Sequence, residues 1–280
     1  MQNIQIKNLI VDFDIMNSEG AVTSQKRALD GINLSINEGE FVCILGRNGS
    51  GKSTFAKCLN ALILPTFGDV LINGMNTKDE TKTIEIRKNI GMAFQNPDNQ
   101  IVASIVEEDI AFGMENLCID SETMDKRINE SLECLGIKDL RYSVTSKLSG
   151  GQKQKVSIAG ILSMKSKILV LDEPTSMIDK NGRKDLIDRV KRLNKDEKIT
   201  VILISHYIDE ISYADRVIVF NNGKVTMDDT PNNITLRGSE LEKYGIMLPY
   251  IPKLASALKA NGINLKGNEF NVKELCQFLK

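Results

Sequence analysis

Phe41-Val42-Cys43-Ile44-Leu45-Gly46-Arg47-Asn48-Gly49-Ser50-Gly51-Lys52-Ser53-Thr54 is the stretch that decides the fold. Its first five residues form an unbroken apolar run, the mark of a strand buried on both faces, and residues 52–62 carry a helical pattern. Between the two stands a glycine-rich turn. Its glycines let backbone N–H groups converge on phosphate oxygens, and the helix that starts at Lys52 adds partial positive charge at that point. Lys52 would reach the β and γ phosphates of a nucleoside triphosphate, and Ser53 would ligate Mg²⁺. Few patterns of this length are as specific; the bland alternative is a glycine-rich link between strand and helix.

Upstream, residues 4–13 and 28–36 read as strands, with a polar, turn-rich segment over 17–26 between them, so a small β subdomain is expected. Downstream, residues 100–160 turn mostly helical, with Ile110, Phe112 and Met114, then Ile128, Leu132 and Leu135, as the apolar positions. Two short apolar strands follow at 168–171 and 200–204, separated by a charged helix over 183–193, as in a parallel α/β sheet. The last forty or so residues change character. Leu248-Pro249-Tyr250-Ile251-Pro252 leads into a helix marked by Leu254 and Leu258, and Val272, Leu275 and Phe278 mark another. The expected organisation is a nucleotide-binding domain over 1–235, a helical subdomain over about 96–165, and an appendage over 236–280 that either pairs with another subunit or merely covers the main domain.

Composition narrows the partners. In 280 residues, 36 Lys and Arg balance 37 Asp and Glu, so no basic field draws the chain to nucleic acid or anionic lipid. Cys43, Cys58, Cys118, Cys134 and Cys276 form no metal-like spacing and read as reduced thiols of a cytosolic protein. The amino terminus lacks a signal-peptide block, and no apolar run approaches the roughly 18 residues of a membrane span. Membrane contact is therefore expected only through partners.

Three further motifs carry chemistry. Ile168-Leu169-Val170-Leu171-Asp172-Glu173 is an apolar strand ending in two carboxylates, and ligands of such sheets gather at the carboxyl ends of the strands. Asp172 would hold Mg²⁺ through water and Glu173 would polarise the attacking water; alone, the pattern is equally a strand meeting solvent. His206, the one histidine, follows the strand 200–204, which would deliver it to the same edge. Leu148-Ser149-Gly150-Gly151-Gln152 precedes a helix and makes either a second anion site or a capping box from Ser149 to Gln152.

The phosphate loop, LSGGQ and Asp172-Glu173, in this order, resemble the ABC ATPase family over roughly residues 1–230. The resemblance implies an α/β P-loop NTPase fold: an N-terminal antiparallel β subdomain, a RecA-like core sheet, a helical signature subdomain and a small C-terminal appendage. It implies ATP and Mg²⁺ as ligands, and cassettes that dimerise head to tail, the LSGGQ of one closing over the γ phosphate held by the other. By the same similarity Gln95 senses Mg²⁺ and the attacking water, Ser176-Met177-Ile178-Asp179 crosses the dimer seam, and His206 is the switch histidine. Phe13 aligns with the aromatic that stacks on adenine, where tyrosine is usual; it reads equally as an apolar residue packed at a strand end.

Phe94-Gln95-Asn96-Pro97-Asp98-Asn99-Gln100, with Val106-Glu107-Glu108-Asp109-Ile110-Ala111-Phe112-Gly113, is similar to the ATPases of energy-coupling factor transporters. Asn48 and Ser176-Met177-Ile178-Asp179-Lys180-Asn181-Gly182-Arg183 look more like the first of that family's two paralogous subunits. The implied assembly sits at the cytoplasmic face of the cell membrane. It joins this chain and a second ATPase subunit, a paralogue or another copy, to a transmembrane coupling protein and a membrane subunit that captures a vitamin or metal ion. An ATPase of another ABC transporter, of cobalt or nickel type, and a soluble ABC ATPase acting on nucleic acid or ribosomes are the alternatives. The latter usually carries a long coiled-coil insert or two fused cassettes.

Overall fold

The computed structural model describes residues 2–18, 20–248 and 250–262. β1 (Gln2–Met16) and β2 (Val22–Asn37) form a long antiparallel pair, after which the chain enters β3 (Phe41–Gly46) and α1 (Lys52–Leu59). β4 (Phe67–Ile72) and β5 (Met75–Asn76) complete an antiparallel sheet in the order β2-β1-β4-β5. α2 (Thr83–Asn89) leads to β6 (Ile90–Ala93). The helical stretch holds α3 (Val106–Asn116), α4 (Ser121–Leu135) and α5 (Gly150–Ser163). Then come β7 (Ile168–Asp172), α6 (Lys180–Glu197), β8 (Thr200–Ile204), β9 (Arg216–Asn221) and β10 (Lys224–Asp229). The second sheet runs β10-β9-β3-β8-β7-β6, parallel throughout except for β10.

Period-two alternation explains why β3, β7, β8 and β9 are apolar at nearly every position. Phe41, Cys43, Leu45, Leu169, Leu171, Val201, Leu203, Val217 and Val219 join one core with α3 to α6. Val42, Ile44, Ile168, Val170, Ile202, Ile204, Ile218 and Phe220 join the other, with α1 and the antiparallel sheet. Both faces are covered, so each strand needs apolar side chains in both directions. Complete burial of each such large aliphatic side chain is worth about 1.5–3 kcal/mol.

Several expectations shift. The polar segment over 17–26 is largely strand, because β2 begins at Val22. Residues 22–27 are exposed, and their rungs are closed by polar side chains, Gln25 to Asp14 and Arg27 to Asp12, both at 2.9 Å. A ribbon wet on both faces leaves no hydrophobic alternation to read. Phe112 is exposed while Ile110 and Met114 are buried. A step of two residues turns about 200° around a helix, onto the opposite face. α1 stops at Leu59 rather than 62, where Ala61 takes a left-handed φ of 55°. α6 starts earlier and ends later than the 183–193 stretch.

Beyond β10 lie α7 (Pro231–Leu236), α8 (Gly238–Lys243) and α9 (Tyr250–Ala260). Leu241, Ile246 and Leu248 are buried in the same core as α3 to α6, whereas Met247 and Tyr250 face outward. The helix expected after Pro252 already begins at Tyr250, which puts Pro252 in a first turn where no N–H is required. Pro249, Val272, Leu275, Cys276 and Phe278 lie outside the described residues. Among the described residues, no helix is long and apolar enough to cross a membrane.

Candidate active site

Four parallel strands end at one edge, and each delivers a functional group there. β3 runs from Gly46 into the glycine-rich loop, β7 ends at Asp172 opposite Ile204 of β8, and Ala93 of β6 is level with Leu171. Gln95 therefore emerges beside Glu173, and His206 follows β8 by two residues. A cleft of about 530 Å³ opens here, lined by Gly49, Gly51, Lys52, Ser53, Thr54, Gln95, Glu173 and Phe13 among others.

The loop is shaped by close approach. Gly51 has φ of 103° and Gly223 φ of 76°, and a Cβ on either would lie 2.7 Å from the Ala28 carbonyl oxygen. These two glycines thus clamp the phosphate loop and the β9–β10 turn onto β2. Gly223 N also donates to the Ser50 carbonyl at 3.0 Å. No carboxylate stands in the first turn of α1, which keeps that helix end free for an anion. Lys52 is buried, and its Nζ donates to the carbonyls of Gly46 at 2.8 Å and Arg47 at 3.1 Å. Burial lowers its pKa, with Glu173 and Asp172 pulling it back up.

Asp172 is buried behind Ser53, and its Oδ1 has no hydrogen-bond partner. Burial raises its pKa against the opposing pull of the Ser53 hydroxyl. An orphaned carboxylate oxygen beside a hydroxyl fits a hard divalent cation such as Mg²⁺.

Glu173 is held from both sides. Gln95 Nε2 donates to its Oε2 at 2.7 Å, and His206 Nε2 contacts its Oε1. Its backbone has a left-handed φ of 52°, a conformation costing of order 1–3 kcal/mol for a residue with a side chain, and its N–H donates to the Ile204 carbonyl at 3.0 Å. Strain, burial and two polar contacts fix one carboxylate orientation, facing the cleft.

The signature turn stands apart. Leu148 to Gln152 are not among the residues lining the cleft, and Ser149 is exposed. Ser149 caps α5 in a full capping box: Gln152 N donates to Ser149 Oγ at 3.3 Å, and Ser149 N donates to Gln152 Oε1 at 2.9 Å. Both duties read from the sequence are therefore open to this serine. Gly150 and Gly151 lie against Met177 and Ile178, while Ser176 and Asp179 on the same turn are exposed. Lys153 joins α5 to the segment after Gln95 through Asp98, at 2.6 Å. Phe13 is 41% exposed and lines the cleft instead of packing in the β core.

Lys26, Arg27, Ala28 and Asn222 also line the cleft, and the sequence reading did not single them out. Asn222-Gly223 is a hairpin-turn signal that was available, yet nothing local ties it to the phosphate loop. A separate cavity of about 370 Å³, lined by Arg127, Glu130, Cys134 and Lys165 among others, lies where the strands begin, at the opposite edge.

A family model for ABC transporters matches residues 29–176. The chain is 47% identical over 262 residues to the energy-coupling factor transporter ATP-binding protein EcfA1 of Caldanaerobacter subterraneus subsp. tengcongensis, covering 94% of each. To the protein of the same description from Clostridioides difficile it is 45% identical over 281 residues, covering 99% of this chain and 100% of that one.

The chain belongs to the energy-coupling factor branch of the ABC transporter ATPases.

Membership in that ABC family makes it an ATP-hydrolysing transporter subunit. Solved structures agree on the fold. CbiO1 of Clostridium perfringens, described as part of the ABC transporter complex cbiONQ, superposes with a TM-score of 0.74 at 33% identity, over 91% of this chain and 98% of that one. The ATP-binding cassette MJ0796, as a dimer in a post-hydrolysis state bound to ADP and Pi, gives 0.75 at 29% identity, over 81% and 98%.

Proposed function

We infer that this energy-coupling factor ATPase hydrolyses MgATP as one half of a head-to-tail pair, at the cytoplasmic face of the cell membrane. The pair is bound to a transmembrane coupling protein that carries a subunit capturing a vitamin or a metal ion. The observation that carries this reading is the separation between Ser149, exposed at the start of α5, and the cleft of the same chain. An anion-ready helix start with no anion of its own to serve belongs to a partner's nucleotide. The dimeric cassette MJ0796 with ADP and Pi supports the pairing by likeness.

In this reading Lys52 and the backbone N–H groups of Gly49 and Gly51 grip the phosphates, and Phe13 stacks on adenine at the mouth of the cleft. Ser53, Asp172 and Gln95 would hold Mg²⁺, which when bound would neutralise charge on the phosphates. Glu173 orients and polarises the attacking water, and Gln95 and His206, both on its carboxylate, keep it aimed. Ser176 and Asp179, exposed on the turn that backs Gly150, meet the partner along the seam. Residues 236–280 act as the appendage, adding to the contact between the ATPases.

Pull-down of the tagged chain from detergent-solubilised membranes tests the assembly. It should recover a second ATPase together with integral membrane proteins, and recovery of the chain alone from a fraction with intact nucleotide binding rules the assembly out. Ser149→Asp tests the pairing, because it separates the serine's two duties. Aspartate caps a helix as well as serine does, so the melting temperature should hold. The new carboxylate would face the partner's γ phosphate, so ATP turnover of the assembled complex should fall at least about a hundredfold. Undiminished turnover would mean that Ser149 is only a cap.

A further inference from the structure

Two loops meet at the Glu173–His206 contact, and beneath it they are tied a second time by a residue to which the reaction scheme gives no task. Thr175, two residues past Glu173, donates its hydroxyl to Oε1 of Glu210 at 2.8 Å. Glu210, four residues past His206, donates its own N–H to the Tyr207 carbonyl at 3.1 Å. The Ser205 hydroxyl, directly before His206, accepts from Tyr207 N at 2.9 Å and lies within electrostatic reach of the Glu210 carboxyl. Both Thr175 and Glu210 are buried, and the Glu210 Oε2 has no hydrogen-bond partner.

A carboxylate is an expensive way to fill such a space. Burial raises the pKa of Glu210, with Ser205 and Thr175 pulling it back. An apolar side chain of similar volume commonly serves stability as well or better at a buried ionisable position. Stability has another source nearby, since the Arg183 guanidinium, near the start of α6, stacks 3.7 Å over the Tyr207 ring and ties that helix to the loop carrying His206. What Glu210 adds is direction. Its bond to Thr175 is a second link between the turn carrying Glu173 and the loop carrying His206, beside the contact those two side chains make themselves.

We propose that Glu210 is a positioning residue for ATP hydrolysis: through its hydrogen bond to Thr175 it holds the Glu173 turn and the His206 loop in register. The proposal rests on the assignment of Glu173 and His206 to the reaction. In the assembled transporter complex, Glu210→Ala should lower kcat by about tenfold to a hundredfold, the penalty of a small misplacement, while KM for ATP stays within about twofold. Glu210→Gln retains an oxygen acceptor for Thr175 and should recover kcat to within about threefold of the natural protein. Thr175→Val, which removes the donor from the other loop and does not depend on the folding of a Glu210 variant, should reproduce the kcat loss. Combined with Glu210→Ala, it should add little further loss.

Natural kcat in both Glu210→Ala and Thr175→Val overturns the proposal. So does a kcat loss that Glu210→Gln fails to rescue and that tracks a lower melting temperature. Glu173→Gln and His206→Ala are measured in the same preparation. If these two keep turning over, the site assignment has failed. If they stop while the Glu210 and Thr175 variants run normally, only the positioning role has failed.

Discussion

Glu173→Gln should slow phosphate release by about two to four orders of magnitude, the range attributed to a positioned general base, while ATP binding survives. Glutamine matches glutamate in size and keeps an oxygen that can accept from Gln95. It tolerates the left-handed φ of 52° at this position no better and no worse, so the fold is not put at risk. What it removes is the negative charge that draws a proton from the attacking water. The hydrogen bonds that hold Lys52 are kept, since it donates to Gly46 and Arg47 and not to Glu173, and the lost charge alters only its electrostatic surroundings. Steady-state phosphate release and equilibrium nucleotide binding, measured side by side on the assembled complex, separate the two effects. Turnover within a few fold of the natural protein would remove Glu173 from the reaction. A joint loss of binding and turnover would recast it as part of the nucleotide grip.

The parts of this site that the sequence made legible are those whose chemistry is written in consecutive residues. The strand-loop-helix from Phe41 through Thr54 contains its own context, because the apolar run, the glycines and the lysine all act within one turn of the chain. Asp172-Glu173 and His206 were placed by the logic of parallel strands, whose carboxyl ends share an edge, and the register of β7 against β8 has that form. β6, which lifts Gln95 to the same edge, escaped the reading because Ile90-Gly91-Met92-Ala93 is short and weak in β-formers. α2, β4, β5, β9 and β10 were not singled out either, although the four strands complete the two sheets and the β9–β10 turn carries Asn222 and Gly223 to the cleft. Lys26 reaches it from a ribbon whose polar residues look like a turn, and Arg27 and Ala28 from where that ribbon runs on into the buried part of β2. The Thr175–Glu210 bond joins residues 35 apart in sequence, and no local spacing announces it.

Lys52→Ala should abolish nucleotide-dependent closure of the ATPase pair, and it should do so at the binding step. The Lys52 ammonium is buried among the carbonyls of Gly46 and Arg47 and within reach of the charges on Asp172 and Glu173. Burial works against its charge, and triphosphate oxygens would supply the compensating negative charge. The favourable energy is therefore released largely on binding. Losing charge-assisted contacts to both the β and the γ phosphate, each worth about 1.5–3 kcal/mol, weakens ATP affinity by about two to four orders of magnitude. The free protein should tolerate the change, because a buried charge disappears together with its two hydrogen bonds, and the melting temperature without nucleotide serves as the control. Adding ATP to the natural protein should raise its melting temperature by mass action, and adding it to Lys52→Ala should not. In the Glu173→Gln background, where hydrolysis no longer empties the site, Lys52→Ala should eliminate the ATP-induced dimer entirely. Persistence of that dimer at ordinary ATP concentrations would mean that the backbone cradle alone grips the phosphates, with the lysine serving only to brace its own loop.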